Sequence, residues 1–190
     1  VIAVFASNIR RMQGILESSH KLGRKVALIG RSIIENIEAA RRLKILDVPE
    51  DLLVDFRDIG SFDDSKITMI TTGSQGEPYS ALSLMATNAH KHIKIHHGDM
   101  VIFSSRFIPG NERAITRIIN QLYRKGAEVV YEQVKNVHTS GHAYQDELKM
   151  MLNLVKPAYF MPVHGEYRLL AKHLNLAQSV GIPENRLILA

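Results

Sequence analysis

Short, wholly apolar segments alternate with longer segments of helical periodicity over the first 131 residues. No other sequence feature limits the possible folds as strongly. The apolar segments predict strands at residues 1–5, 26–29, 67–72, 100–103 and 128–131. The segments between them predict helices at residues 7–22, 33–46, 81–89 and 114–123. Strand–helix alternation of this kind predicts an α/β fold with a doubly wound parallel sheet and helices on both faces.

The pattern changes near residue 136, which predicts a second unit. A loop rich in His and Gly precedes a predicted helix at 145–155 and a predicted strand at 158–161. A second His-bearing loop and a last helix, at 169–180, complete this part. We therefore expect domains at residues 1–135 and 136–190. Because the chain opens inside a strand-like segment without Met, we also expect it to be a piece of a longer protein.

Composition excludes several classes of protein. Cysteine is absent from the 190 residues, which excludes a disulfide framework and a Cys-based zinc site, and fits a reducing compartment such as the cytoplasm. No apolar run approaches the ~18 residues of a membrane span, so we expect no membrane partner. The net charge of +5 permits an anionic partner such as nucleic acid without requiring one.

Polar loops follow four of the predicted strands, at residues 7–8, 30–32, 72–77 and 104–106. Ligands of open parallel sheets bind at the carboxyl ends of the strands, and the helix that follows each loop favours anions at its start. Ser74, Gln75 and Gly76 belong to a loop with two glycines, which let backbone approach a phosphate. Ordinary caps and turns explain the same residues, and the Gly-Lys-Ser/Thr of a P-loop is missing.

The nine histidines fall into groups with different interpretations. Four of them, at 90, 92, 96 and 97, alternate with lysines and predict a solvated, RNA-facing segment rather than a metal site. His138 and His142 flank Ser140 and Gly141 in a loop that could present amides and imidazole to a phosphate, or could be a structural turn. His164 ends an apolar segment, where a neutral imidazole suits either a metal or a hydrogen bond.

Five motifs together resemble the ribonuclease J branch of the β-CASP nucleases, which have the metallo-β-lactamase fold. They are FASNIRR at 5–11, TGSQGEP at 72–78, FSS with IPGNE at 103–112, HTSGHA at 138–143, and PVHGE at 162–166. The resemblance covers essentially the whole chain. It implies that residues 1–135 are a β-CASP domain of flavodoxin- or Rossmann-like topology. Residues 136–190 would be the segment that returns into a metallo-β-lactamase domain.

The resemblance also implies an activity and roles for particular residues. The family degrades RNA from the 5′ end and internally, with two metal ions, expected here to be zinc, although manganese or magnesium is possible. The resemblance implies that His164 is a metal ligand. It implies that His142 is the catalytic residue and contacts the scissile phosphate. Phosphate binding falls to Ser105, His138, Ser140 and Gly141, and we extend it to the loop of Ser74, Gln75 and Gly76. Single-stranded RNA and a homo-oligomeric, cytoplasmic parent protein are implied as well.

One departure from the family pattern limits this prediction. The main metal motif of the family, His-x-His-x-Asp-His, is absent from the sequence. Because a two-metal site needs several ligands around each ion, we expect an incomplete metal site and no RNA hydrolysis by the isolated chain. The alternatives are a non-catalytic RNA- or nucleotide-binding module, a DNA-directed β-CASP nuclease, and a flavodoxin-like enzyme, which lacks its Gly-x-Gly-x-x-Gly fingerprint here.

Overall fold

The computed structural model describes residues 1–132, 134 and 142–189, and within them the chain forms six strands and six α-helices. The strands are β1 (Ile2–Ala3), β2 (Lys25–Ile29), β3 (Leu53–Val54), β4 (Ile67–Thr71), β5 (Met100–Phe103) and β6 (Glu128–Val130). The helices are α1 (Ile9–Lys21), α2 (Arg31–Arg42), α3 (Ala81–Ala86), α4 (Glu112–Arg124), α5 (Gln145–Val155) and α6 (Tyr167–Ser179). Contacts divide the chain into two compact units, residues 1–139 and 140–190.

The first unit is built on one sheet whose strands follow the order β3-β2-β4-β1-β5-β6. Every pairing in it is parallel, and Ile2 of β1 lies opposite Ile70 of β4 and Ile102 of β5. The central strands are buried on both faces, which explains why their sequences are continuously apolar. The predicted α/β fold with a parallel sheet is confirmed.

Helices cover both faces of this sheet, each with its own hydrophobic cluster. On one face, α1 and α2 bury Met12, Leu16, Ile33 and Ile37 against strand residues such as Ile70. On the other face, α3 and α4 pack on the sheet through a second cluster. The buried residues of α4 are Ile115, Ile118, Ile119 and Leu122. Each such side chain contributes about 1.5–3 kcal/mol on burial, so these stripes hold the layers together.

Three local predictions for the first unit were wrong. Strand β3 lies between the predicted helix at 33–46 and the predicted strand at 67–72, where no strand is predicted, because two residues beside β2 leave no periodic signal. Helix α3 ends at Ala86 rather than 89, since Asn88 takes a left-handed φ of 60° and the amides of residues 89 and 90 bond to Leu84 O. Helix α2 begins at Arg31, after Gly30, and ends at Arg42 rather than spanning the predicted 33–46.

The second unit consists of α5 and α6 around a small core. Helix α5 has the predicted bounds, but the strand expected at 158–161 is reduced to a single bridge between Phe160 and Leu187. The buried hydrophobic residues among those described in this unit are Leu152, Ala177 and Ile182. No helix in the described part of the chain combines the length and the apolar content needed to cross a membrane.

Candidate functional site

The order of the strands creates a switch point at the centre of the sheet. Strand β1 lies between β4 and β5. The chain leaving β1 enters α1 on one face, whereas the chains leaving β4 and β5 enter α3 and α4 on the other face. Loops that diverge in this way open a crevice at the carboxyl ends of the strands, which is where doubly wound proteins bind ligands.

Gln75 joins two of the loops at this switch point. Its Nε2 donates to Ser105 Oγ at 3.2 Å and to Arg106 O at 2.9 Å. Its Oε1 accepts from the backbone N of Ile108 at 2.9 Å and from Asn111 Nδ2 at 3.5 Å. With two donors and one carbonyl oxygen all bonded, the amide has its hydrogen-bonding capacity filled by the protein. Gln75 therefore fixes the loop after β5 relative to the loop after β4.

The structure brings four of the predicted site residues together at this edge. Ser74 is 1% exposed, Gln75 is 5% exposed, and the Ser105 hydroxyl, which donates to Ser74 O at 3.5 Å, is fully buried. Gly76 is buried beside them. In this arrangement the side chains of Gln75 and Ser105 bond to each other, so a phosphate contact from Ser105 Oγ requires the loop to open.

Two glycines in this loop are required by conformation and by space. Gly73 has φ +109°, and a Cβ built on it meets Leu82 Cβ at 2.9 Å. Gly76 has φ +75°, and its Cβ would lie 2.6 Å from Ala114 C and 2.8 Å from Ile115 N. The loop thus packs directly on the first turns of α4, so the glycines serve packing at these positions, whatever they do for a ligand.

Arg11 adds a contact that sequence reasoning did not assign to the site. Its Nη1 donates to Ser104 O at 3.1 Å and to Ser104 Oγ at 2.9 Å, which links α1 to the loop after β5. Asn8 accepts from the backbone N of Arg11 at 3.1 Å and caps the helix. Arg11 and Ser104 both lie in motifs of the family resemblance, but their contact depends on the adjacency of β1 and β5, which the sequence pattern does not contain.

The predicted residues of the second unit are only partly described. His138, Ser140 and Gly141 lie outside the described residues. His142 is exposed and precedes α5, whose first turn carries Asp146 and Glu147. His164 is exposed in the loop before α6 and has φ +63°, a left-handed conformation that costs a non-glycine residue about 1–2 kcal/mol.

The described residues do not by themselves form a metal centre. Among residues 1–132, 134 and 142–189, no three His, Asp or Glu side chains come together as a set of metal ligands. Stable zinc sites use three or four such ligands, so His164 alone does not fit the ion that the resemblance implies.

The histidine-rich segment of residues 90–97 is irregular and partly buried. His92, Lys94 and His96 are exposed, as expected of a solvated segment, but Ile93 and Ile95 are buried in the core, which that prediction did not include. His90 differs from its neighbours, because its Nδ1 accepts from the backbone N of Ile93 at 3.1 Å and of His92 at 3.4 Å. Burial, together with the nearby His92, lowers the pKa of His90 below its usual value.

An all-parallel, doubly wound sheet with polar loops gathered at its switch point defines an α/β domain of the class that binds ligands at the carboxyl edge. Residues 1–122 match the family described as "Ribonuclease J, beta-CASP domain". Residues 126–184 match the family described as "Zn-dependent metallo-hydrolase RNA specificity domain". The chain belongs to the ribonuclease J family, and its fold class is the one expected from the resemblance.

Individual relatives agree with this assignment. The chain is 43% identical over 189 residues to a protein named Ribonuclease J from Helicobacter pylori, with 100% of this chain and 27% of that protein covered. It is 40% identical to Ribonuclease J2 of Bacillus subtilis and 42% identical to Ribonuclease J of Mycobacterium tuberculosis. In both comparisons it covers 34% of the relative. The chain therefore spans about a third or less of the length of these relatives.

Proposed function

We propose that this chain is the β-CASP part, residues 1–135, and the returning metallo-β-lactamase segment, residues 136–190, of a metal-dependent ribonuclease. The observation that carries the proposal is the pair of loops joined through Gln75 and Ser105 at the switch point. They lie within the motifs that the chain shares with the family, and 43% identity over 189 residues supports a common function. The substrate would be single-stranded RNA, degraded from its 5′ end and cut internally.

We assign the phosphate-binding role to two sets of residues. Ser74, Gln75, Gly76 and Ser105 would form the part at the sheet edge, with Gln75 acting by positioning the loop rather than by contact. His138, Ser140 and Gly141 would supply donors from the second loop. Backbone amides at a loop that precedes a helix hold a phosphate well, and the net charge of +5 favours an anionic ligand.

We propose His142 as the catalytic residue and His164 as one metal ligand. An exposed imidazole just ahead of a helix can donate a hydrogen bond to an oxygen that gains negative charge in the transition state. The ions would be two, most simply zinc, with manganese or magnesium as alternatives. No three potential metal ligands cluster among the described residues, so we propose that the isolated chain neither binds metal tightly nor hydrolyses RNA.

The test of His142 is made in the full-length protein. His142→Ala is expected to lower kcat by about 10²–10³-fold, the effect of removing one preorganised donor, while RNA affinity and Tm change little. His164→Ala is expected to lose activity that added metal partly restores. Normal turnover in His142→Ala, or loss of activity that merely follows unfolding, would contradict the catalytic role.

Two alternative functions, a non-catalytic binding module and a DNA-directed nuclease, can be distinguished by binding and cleavage assays. The absence of a three-ligand cluster in the described residues favours a non-catalytic RNA- or nucleotide-binding module as the description of the isolated chain. Binding and cleavage measured on the same RNA and DNA oligonucleotides distinguish this module from a nuclease, and an RNA enzyme from a DNA-directed one. The resemblance further supports a cytoplasmic homo-oligomer, which light scattering of the full-length protein would test.

A further inference from the structure

Three arginines lie along the solvent-facing side of α4. Arg113, Arg117 and Arg124 are all exposed, and the buried stripe of the helix is formed by residues 115, 118, 119 and 122. At about 100° per residue, the three arginines fall within about 40° of one another and directly opposite that buried stripe. We call these three residues the α4 arginine stripe.

Carboxylates do not neutralise this stripe. Glu112 is the only acidic residue of α4, and its Oε2 accepts from the backbone N of Gly110 at 2.8 Å. Among the described residues, none of the three guanidinium groups has a salt bridge, whereas Arg42 on α2 pairs with Glu38 at 3.5 Å. The face of α4 is therefore a concentrated positive surface, while α2 mixes both signs along its length.

The surroundings of the stripe suit a polymer of phosphates. Thr116, Asn120 and Gln121 lie beside the arginines and line a shallow depression of about 420 Å³ with them, and Glu112 lines it as well. Guanidinium groups form bidentate hydrogen bonds with phosphate, and amide and hydroxyl side chains add hydrogen bonds to phosphate and sugar. From Arg113 to Arg124 the helix advances about 16 Å, a span that one phosphate does not fill.

We propose that the α4 arginine stripe binds the phosphate backbone of single-stranded RNA outside the carboxyl-edge site. Helix α4 begins directly after the loop of residues 104–111. An RNA chain held at the carboxyl edge can therefore continue along this helix. The surface adds affinity that does not depend on base sequence, because it contacts phosphates only. This inference rests on the proposed function, since it takes RNA as the ligand.

The test compares two variants of the 190-residue chain that lose the same charge. The first carries Arg113→Gln, Arg117→Gln and Arg124→Gln. The control carries Lys21→Gln, Arg41→Gln and Lys66→Gln, three exposed residues without a salt bridge among the described residues. Binding of a fluorescein-labelled 20-nucleotide oligouridylate is measured between 50 and 300 mM salt, with circular dichroism to confirm folding.

The stripe variant is expected to bind about tenfold or more weakly at low salt, and its salt slope is expected to fall by about 2. Each single-stranded phosphate contact contributes about 0.7 to that slope. Arg→Lys at the same three positions should keep most of the slope. Equal losses in the stripe and control variants would overturn the stripe and leave the proposed function intact. No RNA binding by the unaltered chain would overturn both.

Discussion

Gln75 is the residue on which the geometry of the carboxyl edge depends most. It is almost fully buried and connects residues about 30 positions away in the sequence through both ends of its amide. Buried amides of this kind position backbone rather than contact ligand, because each of their hydrogen-bonding atoms already has a partner. The loop that carries Ser104 and Ser105 is therefore set by a residue that follows a different strand.

Replacing this amide by an apolar group of similar size tests its structural role. Gln75→Met keeps the length of the side chain but leaves the N–H of Ile108 and the carbonyl of Arg106 without their partner. Each unsatisfied buried group costs about 1–3 kcal/mol, so the free energy of unfolding should fall by about 2 kcal/mol or more. Urea denaturation measures this, with Gln178→Met, at an exposed position of α6, as control. Equal, small effects in both variants would contradict the positioning role.

His90 should make the first unit less stable in mild acid. Its Nδ1 accepts two backbone N–H groups, so the neutral ring is the form that fits, and its pKa in the folded chain is lowered by burial. The unfolded chain then binds a proton more readily than the folded chain as the pH falls below about 6.5. Stability from this group is therefore complete above that pH and is lost as the pH falls through the lowered pKa.

The measurement is the urea midpoint at pH 7.5 and at pH 5.0. His90→Asn, which keeps an acceptor but cannot titrate, should lose less stability over this range than the unaltered chain. His20→Asn serves as the control, because His20 is exposed on α1. If His90→Asn and His20→Asn showed the same pH dependence as the unaltered chain, the role of the His90 ring would be refuted.

At the scale of elements, the contact between the 72–78 loop and α4 decides how the carboxyl edge is assembled. Gly76→Ala should be much more destabilising than Gly23→Ala, although both glycines have a positive φ, +75° and +62°. A Cβ at position 23 meets nothing within 4 Å, whereas at position 76 it meets backbone of α4 at 2.6 Å. The left-handed strain costs about 1–2 kcal/mol in each, and overpacking adds about 1–3 kcal/mol at position 76 alone.

Urea unfolding of the two alanine variants gives this difference directly. Both variants add a Cβ at a residue with left-handed backbone dihedral angles. The comparison therefore isolates the packing of the loop on α4. A smaller loss in Gly76→Ala than in Gly23→Ala would mean that the loop is not packed on the helix as described.

The sequence predicts elements well where periodicity is strong and poorly where two distant parts must meet. The limits of β5 and α5 were predicted without error. Met100–Phe103 is continuously apolar, and the helix at 145–155 has two acidic residues, Asp146 and Glu147, in its first turn. Two-residue β3 and the contact of Arg11 with Ser104 were missed, since both depend on the order of strands in the sheet. The motifs identified the loops of the site, but not that Gln75 is saturated with hydrogen bonds.

At the scale of the whole molecule, the two units should differ in stability. The first has two large hydrophobic clusters, whereas the second, over its described residues 142–189, buries three hydrophobic residues and exposes several large ones, including Leu154 at 73% and Val163 at 70%. Few buried apolar contacts imply a low free energy of local opening. In hydrogen exchange of the intact chain, amides of β2, β4 and β5 should therefore be the slowest, and those of α5 and α6 much faster. Equal protection in both units would contradict this.

We propose that the carboxyl edge of the sheet holds the phosphate of RNA, and a titration followed by NMR tests this most directly. A short 5′-monophosphorylated oligouridylate is added to the ¹⁵N-labelled 190-residue chain, and the 5′-hydroxyl form of the same RNA serves as control. The phosphorylated RNA is expected to bind more tightly and to shift the amides of residues 73–77 and 104–111 most strongly. Equal binding of the two RNAs, or shifts confined to the opposite edge of the sheet around Asp64 and Asp99, would contradict it.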